Sequence, residues 1–280
     1  MSAKWNTSVI VCTYNSSDRL GCTIASLEAQ SVLPEEVVIA DDGSSEEHVR
    51  VTEEIIEKSP LKMVYAWQED KGYRAAANRN NGVRHASGDY LLFIDGDAAV
   101  PPNCLETHLA HSDERHWLAG DAIWLTEAES RAAIEEAAST GKLTESWPGP
   151  DDVRWRGTRG RARRFTVRAL RQWLWRSERR MRRLHPRALQ FSLPRAAFEK
   201  VNGFDENYEG YGKEDQDLTL RLQLAGFRGR AVGHLCPGFH LHHGRAQEGS
   251  TNREYFARPR HGEFWCEKGL VREIGDGAGV

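Results

Sequence analysis

The chain has 280 residues, 39% of them hydrophobic and including nine Trp, nine Phe and seven Tyr, so it can bury a core and is not a wholly disordered protein. Its formal net charge of −3 conceals a division, because residues 154–187 hold 14 Arg, no Lys and one Glu, a charge of +13, while the remainder carries −16. The longest aromatic and aliphatic run, residues 90–94, is far shorter than the roughly 20 residues that cross a bilayer, and residues 1–8 lack the apolar stretch of a signal peptide, so we expect a cytoplasmic protein.

The first 125 residues alternate short apolar runs with amphipathic stretches. Strands are predicted for the four apolar runs, at 8–12, 37–40, 63–67 and 90–94. Helices are predicted for the stretches between them, at 20–27, 49–56 and 73–85. Strands that alternate with helices predict an α/β fold with a parallel sheet and crossover helices.

Polar side chains follow each of the four predicted strands, in the segments 13–15, 41–44, 68–70 and 95–97. Ligands of parallel α/β sheets bind beyond the carboxyl ends of the strands, so four polar ends at one edge indicate a ligand site. Taken alone, the Asp-Asp-Gly-Ser segment at 41–44 is also typical of a helix-capping turn, and this alternative stays open.

A metal site is indicated by two groups of side chains. Asp95 and Asp97 are hard oxygen donors one residue apart, which suits Mg²⁺ or Mn²⁺ bridging a diphosphate. Of three later histidines, His240 and His242 would share a face of an extended strand, whereas His240 and His243 would converge in a turn. A late imidazole that completes the carboxylate site is one hypothesis, and a partly buried polar strand with solvated histidines is the other.

Two further groups of charged residues allow two interpretations each. Glu214 and Asp215 precede an amphipathic helix, where they either meet the helix dipole or supply a catalytic base. Arg74 and Arg79 either are solvated charges on a helix or face a phosphate near the amino end of that helix.

The Arg-rich segment contains a pattern at residues 166–185 that predicts a cationic amphipathic helix ending before Pro186. Such a helix can bind an anionic membrane surface, here through residues 153–187, or dock onto the acidic surface of the chain itself. Binding of nucleic acid is the third alternative, but no motif supports it, and we expect no nucleic-acid partner.

The five cysteines are scattered along the chain and form no C-x-x-C pair. This spacing suggests neither a disulfide framework nor a zinc site.

Five segments carry ordered motifs, at 8–15, 41–44, 72–82, 88–97 and 202–205. Together they resemble glycosyltransferase family 2, which has the GT-A fold. A sixth segment, 209–218, is similar to the acceptor-side motif of galactosyltransferase-like and chondroitin-polymerase-like members. The resemblance covers most of residues 6–125 and 189–243 and does not account for residues 140–187. It implies a Rossmann-like, mixed but mainly parallel sheet flanked by helices, with an Arg-rich helical insertion.

The resemblance implies a nucleotide-sugar donor, usually a UDP-sugar, a divalent cation, Mn²⁺ or Mg²⁺, and inversion at the anomeric carbon. It implies a catalytic acid pair of Glu214 and Asp215, with Asp215 as the base, and metal ligands Asp97 and Asp95 with His240 or His243. The residues it places at the nucleotide are Thr13, Tyr14, Asn15, Asp41, Asp42, Arg74, Arg79 and Asp95. Glu69 and Asp70 are predicted to border the donor sugar or acceptor from the third strand end, and Tyr211 either stacks on a sugar or belongs to the core.

We therefore predict a donor-binding half at 1–127, a helical Arg-rich insertion at 128–188, an acceptor and catalytic half of the same domain at 189–245, and a C-terminal tail at 246–280. The predicted function is that of an inverting, metal-dependent glycosyltransferase acting from a UDP-sugar onto a saccharide or lipid-linked saccharide. Its expected setting is cell-envelope polysaccharide or lipopolysaccharide assembly at the inner face of the cytoplasmic membrane. The alternatives are a nucleotidyltransferase that forms sugar nucleotides, against which the lack of a Gly-rich loop after the first strand argues, and a non-catalytic sugar-nucleotide binding protein.

Overall fold

A computed structural model of the chain describes residues 5–143, 189–233, 235–244, 250–258 and 262–271. In chain order the strands are β1 (Thr7–Thr13), β2 (Glu36–Asp41), β3 (Met63–Trp67), β4 (Tyr90–Asp95), β5 (Ala98–Ala99), β6 (His116–Ala119), β7 (Ala122–Trp124), β8 (Gln190–Pro194), β9 (Arg228–Ala231) and β10 (Gly238–His240). The helices are α1 (Ser17–Glu28), α2 (Glu46–Lys58), α3 (Ala75–His85), α4 (Cys104–His111), α5 (Glu127–Thr140), α6 (Arg195–Lys200), α7 (Glu214–Leu224) and α8 (Ser250–Phe256). The predicted cationic helix at 166–185 lies outside the described residues.

The main sheet has seven strands in the order β3-β2-β1-β4-β8-β6-β9. Strands β1 to β4 are mutually parallel, as the alternation of apolar runs and helices predicts. Strand β8 runs antiparallel to both of its neighbours, β4 and β6, while β9 is parallel to β6. The predicted mixed, mainly parallel α/β sheet is therefore confirmed.

Both faces of the main sheet are covered: Ile10 of β1 belongs to one core cluster with Val83 of α3, and Val9 of β1 belongs to another with Ile24 of α1. Strands covered on both faces need apolar residues on both sides. Strand β4 is buried along its apolar run, and Phe93 on that strand stacks on Phe191 of β8 with ring centroids 4.5 Å apart. This stacking joins the parallel part of the sheet to the antiparallel strand that enters beside it.

A second, three-stranded sheet in the order β5-β10-β7 lies at the end of β4. Helix α5 packs beside it, with Ala133 and Ala137 in one core cluster with Ala25 of α1 and Phe239 of β10. A capping box, in which the Thr126 hydroxyl accepts from the backbone N–H of Glu129, fixes the start of α5. The segment directly after residue 127 is therefore a helix docked on the main body.

None of the helices within the described ranges is both long and apolar enough to cross a membrane.

Candidate active site

The polar segments that follow the first four strands meet at one edge of the main sheet. Thr13, the last residue of β1, is in register with Asp41, the last of β2. Cys12 of β1 is in register with Asp95, the last residue of β4. The pairing brings these strand ends together, as predicted.

The turn after β2 is built by the carboxylate of Asp41, which is completely buried. Its Oδ1 accepts hydrogen bonds from the backbone N–H groups of Gly43 (3.1 Å) and Ser44 (2.8 Å), and its Oδ2 accepts one from the Tyr65 hydroxyl (2.7 Å). Both oxygens are thus engaged inside the protein. Asp41 therefore shapes the turn that presents Asp42, while Ser45, the N-cap of α2, makes no side-chain capping hydrogen bond.

Asp42 joins the ends of β2 and β3 to the start of α3. Its carboxylate accepts from Gln68 Nε2 at 2.6 Å and from the backbone N–H of Arg74 at 2.7 Å. Burial raises its pKa. The Arg74 guanidinium lies 3.6 Å from the same carboxylate and also donates to the carbonyl oxygen of Glu69. Arg74 is thereby held at the strand ends, where the alternative of a solvated charge does not apply.

The segment after β1 is tied to the turn after β2 by Asn15. Its backbone N–H donates to Ser44 Oγ and its Oδ1 accepts from the backbone N–H of Ser45, each at 2.8 Å. The exposed Tyr14 donates its hydroxyl to Asp70 at 3.1 Å, and this hydrogen bond raises the pKa of Tyr14. Thr13 lies buried with its Oγ1 3.2 Å from Ser16 Oγ.

Arg79 links the two halves of the fold. Its guanidinium donates to Asp95 and to Glu214, both at 3.1 Å, and only 4% of its side chain is exposed. The interpretation of Arg79 as a solvated charge is therefore wrong. Asp95 pairs with Arg79, and the group of potential ligand atoms around Asp97 does not include its carboxylate.

Asp97, His240 and His243 form a group whose potential ligand atoms all lie within 4.8 Å of one another. The Nε2 atom of His243 is 3.0 Å from Asp97 Oδ2, and that of His240 is 3.7 Å from Oδ1. Of the two predicted arrangements, the turn is confirmed, and both histidines reach the acid. His242 is exposed and donates its backbone N–H to Ser130 instead.

This group fits a divalent cation. Both imidazole Nδ1 atoms lie against backbone carbonyl oxygens, at 2.8 Å for His240 and 2.5 Å for His243, which leaves each Nε2 facing Asp97. Asp97 Oδ1 is buried and has no hydrogen-bond partner among the described residues. Despite its burial, the hydrogen bond from His243 lowers the pKa of Asp97. One carboxylate and two imidazoles suit a transition-metal ion such as Mn²⁺.

The backbone holds this group in place. The Gly96 N–H donates to the carbonyl oxygen of Cys12 at 2.7 Å, and a β-carbon on Gly96 would lie only 2.7 Å from that oxygen. The backbone N–H of Leu241 donates to the carbonyl oxygen of Asp97 at 2.8 Å. The His240 ring stacks on Trp124, with ring centroids 3.8 Å apart. No sequence motif indicates that Trp124 lies in this site.

The acids at the start of α7 have different roles. Glu214 is buried against Arg79, and Asp217 forms a completely buried ion pair of 2.6 Å with Arg221 of the same helix. Asp215 is half-buried, and burial together with the neighbouring charge of Glu214 raises its pKa to about 7. Asp217 is therefore a structural residue, and Asp215 is the acid poised to exchange a proton near neutral pH.

Aromatic side chains stand at the rim of this region. Tyr73 and Tyr211, each 45% exposed, meet edge to face with ring centroids 6.0 Å apart. The backbone N–H of Gly210 donates to the carbonyl oxygen of Tyr73 at 2.8 Å. Tyr211 thus lies at the surface and not in the core, while Glu69 is exposed and paired with Lys71 at 2.9 Å.

Known proteins share both the sequence and the fold. The sequence model of glycosyl transferase family 2 matches residues 8–137, and that of the N-terminal domain of galactosyltransferase matches residues 187–244. The validoxylamine A glucosyltransferase of Streptomyces hygroscopicus subsp. limoneus is 31% identical over 263 residues, which cover 88% of this chain and 53% of that protein. The chain therefore spans about half the length of this curated relative.

Two solved structures show the same fold. TarS 1–349 of S. aureus in complex with UDP-GlcNAc matches with a TM-score of 0.55 and 20% identity, over 89% of this chain and 60% of that one. The mannosyltransferase of Pyrobaculum calidifontis in complex with GDP-Man and Mn²⁺ matches with a TM-score of 0.56 and 17% identity, over 85% and 57%. The chain has the GT-A fold; residues 8–137 carry a glycosyl transferase family 2 domain, and residues 187–244 match the N-terminal domain of galactosyltransferase.

Proposed function

We propose that this protein is an inverting, metal-dependent glycosyltransferase that moves a sugar from a UDP-sugar to a hydroxyl group of a saccharide acceptor. The observation that carries the proposal is the approach of two chemically different groups to one strand edge. Asp97 with its two histidines is suited to a cation, and the Arg79 ion pairs connect that edge to the acids of α7. A glycosyltransferase needs a cation site for the donor diphosphate next to an acid that acts as the base.

The donor is held at the ends of β1 and β2 in this proposal. Asp42 and Arg74 offer an acceptor and a donor of hydrogen bonds next to each other, and Tyr14 is exposed beside them. Asp97, His240 and His243 hold the divalent cation. That cation, when bound, stabilises as a Lewis acid the negative charge of the departing diphosphate.

The nucleotide specificity rests on the relatives. TarS in complex with UDP-GlcNAc supports a uridine donor, whereas the mannosyltransferase in complex with GDP-Man shows that the same fold holds a guanosine donor. Donor screening therefore includes both nucleotides.

Asp215 serves as the base. In a direct displacement, the acceptor hydroxyl attacks the anomeric carbon from the face opposite the diphosphate and gives up its proton, which inverts the configuration. A carboxylate with a pKa of about 7 is ionised in a large fraction of molecules at neutral pH and is basic enough to take that proton. Such general base catalysis contributes roughly 10²- to 10⁴-fold.

The acceptor is a saccharide or a lipid-linked saccharide of the cell envelope. The exposed pair of Tyr73 and Tyr211 next to α7 supports a sugar acceptor, because aromatic rings present a flat apolar surface with a polar tip. The name of the Streptomyces relative makes validoxylamine A the small-molecule acceptor to include in the same assays.

Attachment to the inner face of the cytoplasmic membrane is proposed from the charge of residues 153–187 alone. Cosedimentation with vesicles of anionic lipid tests it, with the full chain and with a deletion of 153–187. We expect the full chain to bind the vesicles at low salt concentration and the deletion variant not to bind them. Failure of the full chain to bind at any salt concentration overturns the proposal.

The variant Asp215→Asn tests the enzymatic role. We expect Mn²⁺-dependent UDP binding, measured by calorimetry, to remain, while sugar transfer falls by about 100-fold or more. The matched control is Glu54→Gln, an exposed acid on α2 that pairs with Lys58, for which transfer stays unchanged. Unchanged turnover in Asp215→Asn removes this residue from its role.

A further inference from the structure

A second cluster of metal-ligating side chains lies inside the protein, away from Asp97. It consists of Cys104, His108 and Cys236, and we call it the buried Cys-His cluster; all three side chains are completely buried, and their ligand atoms lie within 4.8 Å of one another. Cys104 and His108 are one turn apart on α4, and Cys236 precedes β10. The topology brings together cysteines whose spacing in the sequence gives no sign of a shared site.

The cluster has a polar neighbour in Gln190, the first residue of β8, which is also completely buried. Its Nε2 atom lies 2.8 Å from Cys104 Sγ, 3.2 Å from His108 Nε2 and 3.6 Å from Cys236 Sγ. Its Oε1 atom has no hydrogen-bond partner among the described residues. A half-turn of the amide exchanges the two atoms: it gives up the 3.3 Å hydrogen bond from Nε2 to the backbone carbonyl oxygen of Cys236 and turns an oxygen ligand toward the cluster.

The orientation of His108 favours a ligand role. Its Nδ1 lies 2.6 Å from Ser192 Oγ, which in turn lies 2.8 Å from the Tyr90 hydroxyl. A histidine that donates Nδ1–H to an outer oxygen presents the lone pair of Nε2 on the other side, as metal-binding histidines do. Here that side faces the two cysteines and Gln190.

We propose that Cys104, His108 and Cys236 bind one Zn²⁺ ion, with the amide oxygen of Gln190 as the fourth ligand. Two sulfurs and an imidazole are the ligands that zinc prefers, and a tetrahedral site with bonds of about 2.0–2.3 Å has edges of roughly 3.5 Å. The ligand atoms lie within 4.8 Å of one another, so they need to approach one another by about an ångström to form such a site. Binding releases the thiol protons, so that each cysteine ligates as a thiolate.

The ion is structural, because its four ligands close the coordination shell in a site without solvent access. It connects α4 to the start of β8 and the segment before β10, and these last two adjoin the candidate active site. The residue before Gln190, Leu189, accepts a hydrogen bond from the backbone N–H of Asp95, and Cys236 precedes His240 by four residues. Zinc at this place stabilises the frame from which Asp97 and its histidines are held.

Cobalt substitution tests the proposal on the full-length wild-type protein. Metal-free protein is titrated with Co²⁺ in the presence of excess Mg²⁺, and the absorption spectrum is recorded. We expect a thiolate-to-cobalt charge-transfer band that saturates at one equivalent and disappears when Zn²⁺ is added. The group around Asp97 contains no thiolate, so it does not produce this band. Cobalt uptake without the band overturns the proposal.

Variants then assign the ligands. Cys104→Ser and Cys236→Ser are each expected to abolish the band and to weaken zinc binding by more than about 100-fold, whereas Cys22→Ser, which removes another buried thiol, leaves both unchanged. Asp97→Ala is also expected to keep the band. A band of wild-type strength in either Cys104→Ser or Cys236→Ser contradicts the assignment.

Discussion

Arg79 and Glu214 are joined by a buried hydrogen bond of 3.1 Å although 135 positions separate them along the chain. The same guanidinium holds Asp95, so one side chain fixes the end of β4 and the start of α7 relative to each other. Because a base on α7 must reach a sugar held near β4, this ion-pair bridge sets the distance between the two parts of the proposed reaction.

Replacing the bridging side chain of Arg79 should therefore destabilise the protein. Arg79→Met leaves the carboxylates of Asp95 and Glu214 without their cation, and removing one partner of a buried ion pair costs about 3 kcal/mol. We expect a loss of that size in the free energy of unfolding, measured by urea denaturation.

The matched control is Arg131→Met, since Arg131 forms an exposed pair with Glu127 at 3.0 Å. We expect a loss below about 0.5 kcal/mol for this variant. Equal losses in the two variants would contradict the account of Arg79 as a buried bridge.

The sequence predicts the strand ends but not this bridge, for physical reasons. Continuous apolar runs identify β1 to β4 because a strand buried on both faces needs them, and the polar residues that follow must then meet at one edge. A contact between Arg79 and Glu214 depends on how β8 enters the sheet beside β4, and no local pattern encodes that. The same holds for the buried Cys-His cluster.

The loss of a cation ligand gives a second prediction. Asp97→Ala should abolish the Mn²⁺ dependence of UDP binding measured by calorimetry. His240→Ala and His243→Ala should each weaken the binding of Mn²⁺ by about 100-fold. His242→Ala is the neighbouring control and is expected to bind as the wild type does, because its imidazole lies outside the group. UDP binding that is equally dependent on Mn²⁺ in Asp97→Ala would rule out the metal assignment.

The rate of transfer should depend on pH through Asp215. Only the ionised carboxylate accepts a proton, so kcat/KM rises with pH until this group is fully ionised. With a pKa raised to about 7, the increase from pH 6 to pH 8 is about tenfold. A profile that is flat over this interval in the wild type would show that Asp215 is not the base.

The same pKa predicts a stability effect of Asp215→Asn. The unfolded carboxyl has a pKa of about 3.9, so the raised pKa of the folded state destabilises the protein fully above pH 7 and not at all below pH 4. Asn removes this cost, and we expect its free energy of unfolding to exceed that of the wild type by about 4 kcal/mol at pH 8 and to equal it at about pH 3. Equal free energies of unfolding for the variant and the wild type at pH 8 would show that ionised Asp215 does not destabilise the folded protein.

The turn after β2 can be tested with Gly43→Ala. This glycine has a φ of +91°, and a β-carbon would lie 2.3 Å from the backbone nitrogen of Asp70, so we expect destabilisation by about 3 kcal/mol and a clear loss of UDP affinity. Gly141→Ala is matched in conformation, with φ of +65°, but its β-carbon meets no atom within 4 Å of it. For Gly141→Ala we expect destabilisation by about 1 kcal/mol and an unchanged UDP affinity. Similar UDP affinities in the two variants would show that the turn after β2 is not part of the nucleotide site.

Hydrolysis of nucleotide sugars without an acceptor, in which water takes the place of the attacking hydroxyl, tests the proposed metal-dependent inverting transfer. A panel of UDP-sugars, with GDP-mannose alongside, is incubated with the protein and Mn²⁺, and the released sugar is followed by NMR before its anomers equilibrate. We expect Mn²⁺-dependent release from a UDP-sugar, with the freed sugar in the anomeric configuration opposite to that of the donor. Release with retained configuration, or no metal-dependent release from any donor, would contradict the proposal.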